Sequence, residues 1–254
     1  MLSILFYTFI NKKMKKLLYV TLLGIALVSC NNQNMWNIKP SGEQITDTLS
    51  GEPFQILLNN SSANIEFDST IDENKIIVTG DKNFITNLSI ENQNNTLNIS
   101  NKKKVSFNTK TAPLFIKINS PELQKAVIAG NGSITTNNVT LTNDIEFEIT
   151  GAGEINVKLN NDITSIFVSG VGNVRLHGKS NELKAKMSGA GNLNAEDLVN
   201  KQAIIEISGT GNARVQTTDE INAKISGIGS LKYKNYEQLK VVEKISGIGS
   251  IEPY

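Results

Sequence analysis

Few side chains in this 254-residue chain are equipped for chemistry, and their spacing narrows what that chemistry can be. His177 is the single histidine and Cys30 the single cysteine. With no second imidazole or thiol, neither a nucleophilic triad nor a zinc or iron–sulfur site can be assembled from neighbours of their own kind. His177 stands in "VRLHGKS" and reads as a turn residue beside Gly178. Glycan cleavage needs paired carboxylates on one face. Asp144, Glu146 and Glu148 are local in sequence, only Glu146 and Glu148 share a face, and they offer no acid–base pair. The expectation is no metal, no cofactor and no catalysis. Arg175 and Arg214 are better placed. They fall in one outward column of a repeat, two copies apart, with Asn194 between them. At strand spacing that is roughly 10 Å, a span that a glycan carboxylate can bridge. The plainer reading of the same three residues is a solvated outward face.

The elements that position those residues are set by glycine. Ser-Gly-x-Gly and close variants recur, with first glycines at Gly130, Gly151, Gly170, Gly189, Gly209, Gly227 and Gly247. The spacings are 21, 19, 19, 20, 18 and 20 residues, and a period near 20 sustained to the last residues is a solenoid signature. Two residues before each first glycine stand Ile128, Ile149, Val168, Met187, Ile207, Ile225 and Ile245. Two after each second glycine stand Ile134, Ile155, Val174, Leu193, Ala213, Leu231 and Ile251. The column after that is polar: Thr135, Asn156, Arg175, Asn194, Arg214, Lys232 and Glu252. Alternation of this kind is the period of strands with one face inward. One such coil cannot bury enough surface to stand alone, so the copies must stack. Between the two inward columns the chain turns, and the glycines are expected there for their access to φ > 0. Asn173, Asn192 and Asn212 follow three of the pairs and would form a short amide ladder when stacked.

Other uses of a glycine pair fit less well. A dinucleotide fingerprint needs a third glycine and a following helix, and here a strand pattern follows. A phosphate-binding loop needs Gly-Lys-Ser/Thr, and calcium-binding β-rolls need an aspartate in register; neither is present. The expected architecture is all-β, a right-handed parallel β-solenoid with coils of about 20 residues, regular from residue 121 and less regular before it.

The N-terminus carries its own signal. "MKKLLYVTLLGIALVSC" (14–30) has a basic start and an apolar run too short to span a bilayer, which suits a secretory signal beginning at Met14. Leu27-Val28-Ser29-Cys30 resembles the lipobox of bacterial lipoproteins. That resemblance implies lipidation of Cys30, cleavage before it and a membrane partner through the anchor. Residues 31–48 are expected as a polar tether and 49–254 as a single head domain. The formal net charge of +1 argues against nucleic acid as a partner.

The first half keeps the alternation without the glycine pairs. "PFQILLNNSSANIEF" (53–67) is expected as strand, turn and strand. Residues 75–100 are expected as three strands, with turns at Gly80-Asp81 and Asn92–Asn95. "VTGDKNFI", "PLFIKINSPELQKAVIAGNGSI" and the Ser-Gly-x-Gly copies together resemble the putative auto-transporter adhesin, head GIN domain family over about residues 50–254. The resemblance implies an exported, solenoid-like protein with an adhesin-like role. The function expected is therefore a lipid-anchored cell-envelope protein of the outer membrane, on its surface or periplasmic face, that binds a glycan or cell-surface ligand, with self-association left open. The alternatives are a polysaccharide-processing β-helix enzyme and a periplasmic structural or sensory lipoprotein.

Overall fold

The computed structural model describes residues 36–254 apart from 103, 104, 108 and 110. The expected signal segment, Cys30 and residues 31–35 of the expected tether lie outside the described residues. Asn37–Tyr254 form one compact unit, nearly all strand and wound as a β-solenoid of about six turns. The regular part consists of long strands: Ala152–Val168, Val171–Met187, Ala190–Ile207 and Thr210–Ile225. Each is one whole coil, running from one glycine corner to the next, and each pairs in parallel with the coil before and after it. The two inward columns pack as the sequence pattern requires except in the last coil, where Ile245 is exposed. Ile149, Ile155, Val174, Leu193, Ile207, Ala213, Ile225 and Leu231 are all buried in one continuous core. Sealing aliphatic columns this way is the main favourable term in folding.

The corner glycines serve a different purpose from the one expected. Among the described glycines only Gly42 (φ 83°) and Gly178 (φ 106°) have positive φ, so left-handed backbone is not what selects glycine in the pairs. Close approach of stacked backbones is. From Ala152 onward the apex N–H of each coil donates to a glycine carbonyl of the coil below, as Ala190 does to Gly170 at 2.9 Å. A Cβ on Gly189 would lie 2.0 Å from that same Gly170 oxygen, and one on Gly191 would lie 1.7 Å from the Gly172 oxygen. The ladder continues through the corner only if nothing projects there.

A second corner, opposite in each coil, was not legible in the sequence. It is built from buried polar side chains: Thr164, Ser180, Asn200 and Thr217. Thr164 Oγ1 donates to Asn161 Oδ1 at 3.0 Å and meets Ser180 Oγ at 3.2 Å. Thr217 Oγ1 donates to Asn200 Oδ1 at 2.8 Å. Each hydroxyl or amide satisfies its neighbour, which is the condition for burying polar atoms.

The first half completes and closes the solenoid. Ile56–Asn60 and Asn64–Asp68 form a coil parallel to Lys125–Ile128 and Ser133–Asn137. Its corner is Ser61–Ala63 in place of a glycine pair, and the expected turn in 53–67 is this corner. On the far side the same strands pair in parallel with Thr96–Asn101 and Phe115–Ile118, so stacking order departs from chain order. Beyond them the ladder becomes antiparallel. Leu88–Gln93 pairs with Thr96–Asn101, Lys75–Asp81 with Phe115–Ile118, and Gln44–Ser50, at the junction of the expected tether and head, with Lys75–Asp81. The turn expected at Gly80-Asp81 is instead the end of a strand followed by a short helix, Lys82–Thr86. Asp81 caps it, accepting from the Asn83 N–H, and Phe84 is fully buried beneath it. The Asn92–Asn95 turn stands, with Asn94 and Asn95 at φ 52° and 60°.

Candidate functional site

On either side of the inward column Val174, Leu193, Ala213 and Leu231, alternation turns two side chains per coil outward. One row is Asn173, Asn192, Asn212 and Ser230; the other is Arg175, Asn194, Arg214 and Lys232. Strand pairing places Arg175, Asn194, Arg214 and Lys232 directly in register on successive coils. The three residues singled out from the sequence, Arg175, Asn194 and Arg214, are therefore brought together on one face. The two rows form the banks of an open groove of about 580 Å³.

The asparagine bank is a hydrogen-bonded ladder, as its spacing predicts. Asn192 Nδ2 donates to Asn173 Oδ1 at 3.1 Å, and Asn212 Nδ2 donates to Asn192 Oδ1 at 3.3 Å. Ser230 Oγ then donates to Asn212 Oδ1 at 2.8 Å. These bonds fix the bank in one conformation, so that groove is pre-organised.

The basic bank is less uniform. Arg175 and Arg214 are the only two arginines of the chain. Arg214 Nη1 bonds Glu196 Oε1 at 2.9 Å, and Lys232 pairs with Glu252 at 3.4 Å. Arg175 has no hydrogen-bond or ion-pair partner among the described residues, so its guanidinium offers a full set of donors to a ligand. Asn194 Oδ1 accepts from the Glu196 N–H at 3.0 Å, which turns its amide N–H group outward. Glu196 itself was missed by sequence reasoning. It sits in a register shift between Ala195 and Val199, and the signal for it was the 20-residue spacing from Gly189 to Gly209.

His177 is part of the strand Val171–Met187 and is not a turn residue. Its Nε2 lies 3.0 Å from Asn156 Oδ1 and its Nδ1 lies 3.4 Å from Asp197 Oδ2. The positive φ expected of a turn belongs to Gly178, where a Cβ would lie 2.1 Å from the Leu159 oxygen. Glu146 and Glu148 do share a face, and both are held by one cation, Lys125 Nζ, at 2.6 and 3.1 Å. The bond to Glu146 chiefly, together with that to Glu148, raises the pKa of Lys125 above the usual lysine value. Asp144 Oδ1 accepts from the Ile163 N–H at 2.8 Å. Among the described residues no three His, Cys, Asp or Glu side chains gather as a metal site. Cys30 lies outside the described residues.

The groove thus presents rows of N–H donors at coil spacing, a pattern that suits hydroxyls and carboxylates repeating along a chain. Comparison with known proteins agrees in architecture. A family model described as "Putative auto-transporter adhesin, head GIN domain" matches residues 53–236. The crystal structure of a "putative adhesin" from Bacteroides fragilis is 26% identical, with a TM-score of 0.78 over 85% of this chain and 100% of that one. A "putative adhesin" from Parabacteroides distasonis is 23% identical, with a TM-score of 0.64 over 86% of this chain and 100% of that one. A "putative lipid binding protein" from Parabacteroides distasonis is 22% identical, with a TM-score of 0.70 over the same shares. Both Parabacteroides proteins show the shared fold. Among curated proteins none matches this chain.

Proposed function

For a member of the putative auto-transporter adhesin, head GIN domain family, to which this chain belongs, we propose the role of a lipid-anchored envelope protein that binds an extended acidic glycan without catalysis. The observation that carries this reading is the groove. Four coils place their outward donors in register, one bank is locked by its own hydrogen bonds, and Arg175 on the other bank is unpaired. Many weak contacts at fixed spacing favour a polymer over a compact metabolite, because each added unit binds at high effective concentration. The absence of catalysis in this reading is supported by the carboxylates around the sheet faces. Glu146 and Glu148 are tied to Lys125, and Glu196 to Arg214, so none of the three is a free acid or base; Glu154 is the carboxylate that lines the groove itself.

The test is a double variant, R175A/R214A. Both side chains point outward from a complete core, so the melting curve is expected to match the parent. Binding to acidic glycans on arrays, and to cells, is expected to fall. Equal signals from parent and variant reduce this face to solvated surface, and turnover of polysaccharide by the purified protein contradicts the non-catalytic reading.

Anchoring is the second part of the proposal. Lipidation of Cys30 makes attachment effectively permanent when several acyl chains insert. Within the expected tether, Trp36–Ile38 already forms a strand paired with Val105–Phe107, and the Ser41 and Gly42 N–H groups donate to Asp81. Intact-mass measurement on membrane-derived protein is expected to show a chain beginning at acylated Cys30; a product retaining an unmodified thiol contradicts it. Protease shaving of intact cells distinguishes an outer-surface location, the one proposed, from a periplasmic one.

A further inference from the structure

The last two glycine corners are identical over seven residues, Lys-Ile-Ser-Gly-Ile-Gly-Ser at 224–230 and 244–250. Strand pairing stacks them directly, Ile228 on Ile248 and Lys224 on Lys244. Core packing accounts for Ile225, which is buried. It does not account for the apex residues. Ile228 is 54% exposed and Ile248 71% exposed. Each apex residue stands between two glycines, so no neighbouring Cβ in its own coil shields it. Its backbone N–H is already satisfied by the coil below, Ile228 to Gly209 and Ile248 to Gly227, both at 2.9 Å. Elsewhere in the row the apex position is Asn131, Ala152, Val171, Ala190 or Thr210, so a β-branched hydrocarbon is not a requirement of the turn.

One flank of this ridge is basic. Lys224 and Lys244 have no hydrogen-bond or ion-pair partner among the described residues, although they are stacked on one another. Like charges directly opposite across a ladder are unfavourable. Glu206, next in the same row, is in register with Lys224 but pairs with Lys186 at 3.9 Å. On the other shoulder Arg214 and Lys232 are compensated by Glu196 and Glu252, so the unpaired charge lies on the lysine side alone.

We infer that this ridge docks on an anionic phospholipid surface. The shape and the charge point the same way. The apolar apex is convex and one residue wide, which suits insertion between headgroups; a protein partner would have to supply a matching groove. Unpaired lysines along one side of an apolar strip fit interfacial binding, with stems along the hydrocarbon and ammonium groups at the phosphates. A second copy of the same ridge would bring four uncompensated lysines together. Because the ridge runs along the solenoid, docking lays the molecule along the leaflet and leaves the groove open at its side. The inference does not depend on the glycan reading of that groove.

The test uses the full-length chain with Cys30→Ser, to remove the acylated thiol, and a polarity-sensitive dye on Ser246→Cys beside the ridge. A matched protein carries the dye on Asn181→Cys, at the second corner. Vesicles of phosphatidylglycerol and of phosphatidylcholine are added at low and high salt. The dye at 246 is expected to shift to the blue with phosphatidylglycerol only, to lose the shift at high salt, and to do so without a matching change at 181. Adding I228S/I248S, or independently K224E/K244E, is expected to weaken partitioning at least tenfold while the melting curve stays that of the parent. Equal behaviour at 246 and 181, or a shift unaffected by both variant pairs, overturns the inference. A blue shift that grows with protein concentration without vesicles also overturns it, since a second copy then covers the ridge.

Discussion

A methyl group on Gly191 would sit 1.7 Å from the Gly172 carbonyl oxygen, and that oxygen belongs to backbone with no freedom to withdraw. Gly191→Ala is therefore expected to destabilise the protein by about 3 kcal/mol, read as a lower midpoint in chemical denaturation. Gly42→Ala differs in kind. A Cβ there meets nothing within 4 Å, and the strain comes from φ 83° alone; the expected cost is about 1–2 kcal/mol. Asparagine tolerates that φ better than alanine, so Gly42→Asn is expected to recover part of the loss, whereas Gly191→Asn is not. The sequence marks the glycines as corners, but composition cannot say which of glycine's two virtues a corner uses, because stacking distance is a property of the neighbouring coil. The coil at Ser61–Ala63 makes the point from the other side. Its outer neighbours, Thr96–Asn101 and Phe115–Ile118, are not joined by a glycine pair, and side chains are accommodated there. Asp81 supplies a pH dependence at the same scale. Burial pushes its carboxyl up, but N–H donors from Ser41, Gly42 and Asn83 outweigh that and hold it below the ordinary aspartate value. A depressed carboxyl contributes fully above the unfolded-state pKa of about 4. The contribution shrinks as pH falls below that value and is gone below the folded-state pKa. Stability of the parent is expected to drop through that acid window, and the drop is expected to be smaller in Asp81→Asn; equal acid slopes in the two proteins contradict this role.

Elements at the two ends of the ladder carry what keeps it finite. At the antiparallel end the helix Lys82–Thr86 covers the core with Phe84, and Phe84→Ala is expected to cost about 3–5 kcal/mol. That helix was illegible in the sequence because five residues give no helical period, and Gly80-Asp81 carries the composition of a turn. At the other end, in the coil Lys240–Ile245 and Ile248–Pro253, Glu243 stands in the inward column opposite buried Ala223, and Pro253 in that opposite Tyr233. An inward charge and a residue without an N–H both discourage addition of a further strand. Glu243→Val is expected to make the protein associate with rising concentration in sedimentation velocity, while the parent at the same concentrations does not. The polar second corner explains another limit of sequence reading. Thr164, Ser180, Asn200 and Thr217 look like loop residues one at a time, and only stacking shows that Thr164 meets Ser180 and that Thr217 donates to Asn200.

Across the whole molecule, the repeat period and the two apolar columns made the solenoid and the in-register basic row legible before any coordinates. They could not reveal that stacking order leaves chain order in the first half, since Thr96–Asn101 and Phe115–Ile118 join the ladder through pairings that no local pattern encodes. Nor could they separate Arg175, which is unpaired, from Arg214, which a bulge places against Glu196. That difference matters for binding: Arg175→Ala alone is expected to weaken a carboxylate ligand more than Arg214→Ala alone. The central claim is that the groove holds a polymer along the stacked coils. It is tested most directly by calorimetric titration with uronic-acid oligosaccharides of increasing length. Affinity is predicted to rise with length until the ligand spans the rungs from Asn173 to Ser230, roughly 15 Å at strand spacing, then level off, and to fall at every length in R175A/R214A. Affinity that is independent of length, or unchanged in that double variant, would contradict the account.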